Sequence, residues 1–513
     1  MRPLRLPLIL AFVVLVLGGC ARQSLLTPTA VAAYVAAGAD PKELRERDDA
    51  AIYRVEAAYR DGVVTGTVRM AWKNTTGAPL QDLVFQQYPN DPVWHGATMA
   101  VSATAVDGQP VAGAVVRDGL GWRVPLARPL APGTQVAVDL TFRHALSTTG
   151  GYHGLGTVDR PSGVAVLHGW FPELALWRDG AWQVDALPEL CDPARSWLYH
   201  VQARLEVDDG TAIPAGGRMV VDDLPGPRRI LELTCPFARN LTVVLGKWES
   251  LEQEVDGVLV RVWHRGQPHA AKRALARTIL ALNRCRRFAP PPRPELDVVL
   301  AGNLGESVGG IESSGLVLIG GSSASQVELM GDDPPASALP VFMFDMTVVH
   351  EVAHQWWYDL VGNDPLPTAW LDESLTNWTS GWILEGDSAQ VGTWAWRMIW
   401  TQAQMRGRKA DANGDLYPAI DRPLWTEPGD PHGSQVYGRG ALAYQALRKQ
   451  VGDEAWLNCL TAWAAGNRWR LIDNAAWRRH LEQKLGKPVV DAFWDRWIQG
   501  HGLKPLDLAK VLN

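Results

Sequence analysis

The chain has 513 residues, a formal net charge of −6, 47% hydrophobic and 20% charged residues. That is the make-up of a globular protein long enough for several domains, each with its own core. The acidic balance and the lack of a basic stripe exclude a nucleic-acid binder, and the 24 Trp are expected in cores and cleft walls.

Residues 1–20 read as a targeting segment. Arg2 and Arg5 give a positive start, and Leu6 to Leu17 form an apolar stretch too short to span a bilayer comfortably. The segment ends L-G-G-C, which resembles a bacterial lipobox, so Cys20 is expected to carry a lipid anchor. Ala21 and Arg22 follow with no Asp beside the cysteine, which by resemblance to Gram-negative sorting signals implies the periplasmic face of the outer membrane. Plain secretion with cleavage near Gly18 and Gly19 is the alternative. No later apolar run approaches the roughly 18 residues of a spanning helix. Cys191, Cys235, Cys285 and Cys459 could form disulfides in an oxidising compartment. Of the three pairings, Cys191 with Cys235 is favoured because both fall in one stretch of chain.

Residues 21–49 read as a tether with a short helix. From Ile52 the pattern changes to short alternating runs, such as residues 63–72, 83–88, 136–142 and 198–207, with Gly, Pro, Asn and Asp between them. This predicts a mainly antiparallel β domain over residues 50–249. Residues 258–263 read as a strand, 270–288 as an amphipathic helix, and 296–300 and 316–319 as strands, making residues 250–395 a mixed α/β unit. Residues 396–513 read as helical, from stretches such as A-L-A-Y-Q-A-L-R-K-Q and V-V-D-A-F-W-D-R-W. The expected class is multidomain α+β.

The α/β unit holds the chemistry. In V-V-H-E-V-A-H-Q-W-W, His350 and His354 are four apart, which on a helix places both imidazoles on one face. Two neutral imidazoles so placed can ligate one zinc ion, usually with a carboxylate as third protein ligand. Glu373 in W-L-D-E-S, with eighteen residues between it and His354, is the expected third ligand. Glu351 stands where a general base toward a zinc-activated water is needed. Pro340 marks a helix start, the apolar run after it suits a buried helix, and Gly362 marks a stop. A second helix, from about Leu371 to Leu384, would carry Glu373. Trp356 and Trp357 read as packing, and Asp372 either as a residue orienting a ligand or as a helix-surface acid.

These motifs resemble the gluzincin aminopeptidases, which include aminopeptidase N and the leukotriene hydrolases. The matching stretches are H-E-V-A-H-Q-W-W-Y-D-L-V-G, W-L-D-E-S-L-T and V-Y-G-R-G-A. The resemblance implies a saddle-shaped β domain at residues 50–249, a thermolysin-like catalytic domain at 250–395, and a helical segment at 396–513 that completes the site. The long helical superdomain of full-length members would not fit in the remaining chain. One Zn²⁺ per chain is implied, held by His350, His354 and Glu373. Tyr437, in the family's Tyr-x-Lys-Gly-Ala motif with Arg439 in the Lys place, would stabilise the oxyanion. The family's Gly-x-Met-Glu-Asn loop is matched by G-G-I-E-S, so Gly309, Gly310 and Glu312 would bind the substrate's free amine, with Ile311 and Ser313 replacing Met and Asn. The family's Gln-x-Glu element is not found: V-L-H-G-W-F-P at 166–172 stands in its place, with no carboxylate before Glu173. The implied activity is zinc-dependent release of N-terminal residues from peptides. The alternatives are an endopeptidase of the same fold and a peptide-binding lipoprotein without turnover.

Overall fold

The computed structural model describes residues 26–188, 195–208, 215–223, 228–302, 309–332, 334–404, 417–423 and 435–512. Cys20 and Cys191 lie outside the described residues. Among the described residues no helix is long and apolar enough to cross a membrane. Cys235, Cys285 and Cys459 are buried free thiols, so the pairing favoured for Cys235 finds no support.

The first half is β-rich. Its largest sheet runs in the order Arg218–Asp223, Arg228–Ala238, Tyr199–Asp208, Ala51–Arg60, Val63–Lys73, Gln135–Ala145, Thr98–Val106, Gln109–Pro110. Alternation does the sorting: along Val63–Lys73, Val64, Val68, Met70 and Trp72 point into the core while Thr65, Thr67 and Arg69 face water. Pairings within this sheet are antiparallel except that Ala51–Arg60 lies parallel to Tyr199–Asp208. A smaller sheet of Glu173–Leu174, Leu80–Gln86, Gly121–Leu130 and Ala114–Val116 contributes to the same core, where Tyr53, Trp72, Phe85, Trp170 and Phe171 meet.

The expected tether is not loose chain. Thr27 and Asp40 cap two short helices, Pro28–Ala36 and Pro41–Glu46, each with Pro in its first turn. Tyr34 and Leu44 are buried. Glu43 accepts from Trp469 Nε1 at 2.8 Å and from Arg468. Burial of two side chains and a charged clasp to the far end of the chain hold this segment down.

The sheet changes between Leu245 and Glu249. A second sheet follows, in the order Glu249–Val255, Val258–His264, Glu295–Ala301, Leu316–Gly320, Gly310–Ser313. Its three middle strands are parallel, the first two joined by the crossover helix Pro268–Cys285. The last strand, Gly310–Ser313, is antiparallel and forms an edge. This corrects the reading of G-G-I-E-S as a loop: two adjacent glycines hide the alternation, but Ile311, Glu312 and Ser313 are buried in ladder positions.

The helix Leu339–Ala353 stands against this sheet, and the helix Glu373–Glu385 packs on that helix. The first starts at Pro340 as expected, but its regular part stops at Ala353 and the chain continues through a wide turn, Gln355–Leu360, into the short strand Val361–Asn363. That strand pairs with Arg470–Ile472. The expected division at residue 395 falls inside the helix Ala389–Gln404. One core runs unbroken from Val260 and Leu282 through Trp356 and Trp378 to Trp456, Trp477 and Phe493. The described residues between 396 and 512 therefore share a core with the catalytic part, and tryptophans such as Trp456 and Trp477 fill it.

Candidate metal centre

The buried helix Leu339–Ala353 offers few atoms to water, and His350 and His354 are among the residues at its open end. Their Nε2 atoms are 3.1 Å apart. Glu373, the first residue of its own helix, brings Oε2 to 3.1 Å from His350 Nε2 and 3.4 Å from His354 Nε2. His354 Nδ1 lies 3.1 Å from the Trp357 carbonyl oxygen. A carbonyl only accepts, so Nδ1 carries the proton and Nε2 presents a lone pair to the triangle. Two imidazole nitrogens and one carboxylate oxygen converging this closely fit a tetrahedral zinc ion with one position left open.

Asp372 decides where Glu373 starts its helix. It is buried, and its carboxylate accepts from the Glu373 amide at 2.9 Å. The helix-surface reading of Asp372 is thereby corrected: it caps the helix that carries Glu373.

Tyr437 comes from a wide turn, Gln435–Gly440, that packs on the Glu373 helix. Its hydroxyl donates to Glu373 Oε1, and its ring centroid is 5.9 Å from that of His350. Ser374 Oγ donates to Val436 O at 2.7 Å and Asn377 Nδ2 to Tyr437 O at 2.7 Å, tying the turn down on both sides of the tyrosine. Burial and the Glu373 charge push the Tyr437 phenol well above its ordinary range, so it stays a donor. Arg439 is fully buried and donates to the Pro418 and Ile498 carbonyls, so it anchors the turn to the C-terminal helices.

The edge strand lies along the histidine helix. A Cβ at Gly309 would come 3.1 Å from Thr347 Oγ1, and one at Gly310 only 2.5 Å from Glu351 Cγ and 2.7 Å from Glu351 Oε1. Glu312 Oε1 is 3.7 Å from His354 Nδ1. Glu312, Glu351 and His354 thus form a second convergence, with donor atoms within 4.8 Å of one another. Burial alone would lower the His354 imidazolium, yet the charges of Glu312, Glu373 and Glu351 hold it well above its ordinary range. Two buried carboxylates and the half-buried Glu373 make the whole cleft a place for cations.

Neighbours from two other elements hold the Glu312 strand in place. Gln355 Nε2 donates to Ser313 O at 3.0 Å and Gln355 Oε1 accepts from Gly315 N at 3.1 Å. From the β domain, Asn240 Oδ1 accepts from Ser313 Oγ at 2.6 Å and from Ser314 N at 2.9 Å, and its Nδ2 donates to Tyr358 at 2.8 Å. Ser313 is small where the family has Asn, and Asn240 supplies an amide there from another element. His168, in the stretch that stands for the missing Gln-x-Glu, is 2.9 Å from Thr242 Oγ1, which is 2.8 Å from Ser313 Oγ. Glu173 is buried beside a cavity of about 30 Å³ lined also by Gln86, His168 and Asn240, and accepts from Tyr199 at 3.1 Å. Asn240 and Asn377 had no signal in the sequence beyond being polar.

Residues 288–497 match the peptidase family M1 domain. Aminopeptidase M1-B of Oryza sativa subsp. japonica is 25% identical over 276 residues, 53% of this chain and 30% of its own length. Aminopeptidase N of Haemonchus contortus is 23% identical over 290 residues, 53% of this chain and 28% of its own. The chain therefore spans under a third of those relatives' length. Among solved structures, the M1 zinc metallopeptidase from Deinococcus radiodurans aligns with a TM-score of 0.63 at 18% identity, covering 89% of this chain and 95% of that one. A variant of that protein solved with a bound Tyr-ser-ala substrate aligns at 0.60, also at 18% identity, covering 89% and 95%. At that identity the likeness is one of fold.

Proposed function

We propose that the protein, whose residues 288–497 match the peptidase family M1 domain, is a zinc-dependent aminopeptidase of that family acting on peptides. The observation that carries the proposal is the triangle of His350, His354 and Glu373 with Glu351 and Tyr437 beside it. Bound there, zinc supplies Lewis acidity toward the scissile carbonyl and toward the attacking water. Glu351 takes the proton from that water and returns it to the leaving amine. The Tyr437 hydroxyl turns from Glu373 to the oxygen on which negative charge develops. Glu312 pairs with the substrate's α-ammonium, a charge-assisted contact that an acetylated N-terminus cannot make.

Fluorogenic peptides with free and with acetylated N-termini, assayed with and without a chelator, test this. Turnover of the free series alone, abolished by chelator and restored by zinc, is the expected result. Efficient internal cleavage of the blocked series would make the protein an endopeptidase on the same centre. Insensitivity to the chelator would overturn the metal assignment.

The proposal extends to location. The L-G-G-C end of the leader supports a lipid on Cys20 and residence at the periplasmic face of the outer membrane. Membrane fractionation of Cys20→Ser should release the protein; equal partition of variant and parent would refute the anchor.

A further inference from the structure

The histidine helix meets solvent along one line. From Val341 to Ala353 every residue is buried except Met343, Thr347 and His350. With Leu339 they follow at spacings of four, four and three, so they share one face. That face is where polar side chains belong. Yet Leu339 is 69% exposed and Met343 is 40% exposed. Two large apolar side chains in water lie on the line that ends at a metal ligand.

The edge strand gives the line a direction. Along the helix, Gly309 stands against Thr347, Gly310 against Glu351 and Glu312 beside His354. An α-amine at Glu312 therefore sits at the C-terminal end of the helix, and the scissile bond falls beside His350 and Glu351. The peptide beyond it must leave toward the helix N-terminus, antiparallel to the strand, over Thr347, Met343 and Leu339. Helix rise puts Met343 about 10 Å and Leu339 about 16 Å from His350. An extended chain advances about 3.3 Å per residue. Met343 is thus level with about the third residue past the scissile bond and Leu339 with about the fifth.

We infer that this line is a rail for the downstream part of an extended peptide substrate, and that it selects apolar side chains about three and five residues beyond the cleaved bond. The inference rests on the aminopeptidase reading, which sets the amine at Glu312. It names a substrate class: peptides of about six residues or more with an apolar downstream half, over dipeptides and acidic peptides.

The test uses the full chain, Met343→Glu, Leu339→Glu and the milder Met343→Gln, which alter exposed side chains. Substrates are an aminoacyl p-nitroanilide, with nothing beyond the scissile bond but the dye, and free hexapeptides with Leu or Ser at the third downstream position. The parent should favour Leu by about tenfold in kcat/KM, the scale of one buried side chain. Met343→Glu should erase that preference and leave nitroanilide turnover within about twofold. A parent indifferent to the third position, or a preference unchanged in Met343→Glu, would overturn the rail. So would a change of sedimentation coefficient in the variants, which would assign the line to contact between copies. If the parent ignores nitroanilides and cuts blocked hexapeptides internally, the aminopeptidase reading fails separately. The Leu-to-Ser ratio on those blocked peptides then decides the rail.

Discussion

Tyr437 meets the metal centre through one oxygen. Its hydroxyl donates to Glu373, and its backbone is held by Asn377. Tyr437→Phe removes that oxygen and leaves the packing, so folding should survive. Loss of an oxyanion donor should cut kcat by about 10²–10³ with little change in KM; a variant with the parent's kcat would move the role elsewhere. Glu173 makes a second prediction at this scale. Burial pushes its carboxyl up to about 8, against the pull of the Tyr199 hydrogen bond. The folded state then holds a proton that the unfolded chain, with a Glu near 4.5, has released. The stability it contributes is full below about pH 4.5 and is lost as pH rises to about 8. Denaturant midpoints of Glu173→Gln, which cannot titrate, should fall less over that window than the parent's. Equal slopes would mean that Glu173 is ionised in the fold. That His350 and His354 lie together could be read from sequence because helical spacing alone puts them on one face, whereas Glu173 and Asn240 matter through burial and long-range contact, which no local pattern records.

At the scale of elements, the edge strand and the two ligand helices act as one device. Gly310 is where they touch: the missing side chain lets the strand lie directly on Glu351. Gly310→Ala would place a methyl group within 2.5 Å of Glu351 Cγ, so the strand or the carboxylate must move. A displacement of the base by about 1 Å can cost on the order of 10² in rate. The variant should therefore keep its zinc and lose turnover; the parent's kcat in the variant would show that Glu351 has slack. The histidine helix, the crossover helix Pro268–Cys285 and the parallel strands were legible from apolar periodicity and Pro or Gly punctuation. Gly310–Ser313 was not, because a four-residue edge strand beginning beside two glycines has too few positions to show a period. The wide turns Gln355–Leu360 and Gln435–Gly440 were not either, since their shape is set by what they bond to, Ser313 and Gly315 in one case and Ser374 and Asn377 in the other.

On the scale of the whole molecule, the β domain and the catalytic part are joined by buried charges. Arg195 donates to both oxygens of Asp364 at 2.8 and 3.0 Å, and Arg178 adds a third contact at 2.7 Å. Arg239 donates to Asp359 O at 3.1 Å and Arg470 O at 3.0 Å, spanning three parts of the chain. With Asn240 and Thr242 on the Glu312 strand, these contacts make the β domain one wall of the cleft. The α+β class and the change of sheet near residue 249 were legible from the switch in period. The continuity of the core past residue 395 and the docking of residues 28–46 were not, because both depend on tertiary burial of single residues such as Tyr34, Leu44 and Trp456. On the proposed reading, this assembly sets Glu351 beside a zinc ion held by His350, His354 and Glu373. Zinc content and turnover of Glu351→Gln, measured together on a free peptide, test it most directly. One zinc per chain is expected in parent and variant, with turnover reduced by about 10²–10⁴ in the variant; a parent without stoichiometric zinc, or a variant that turns over like the parent, would refute that arrangement.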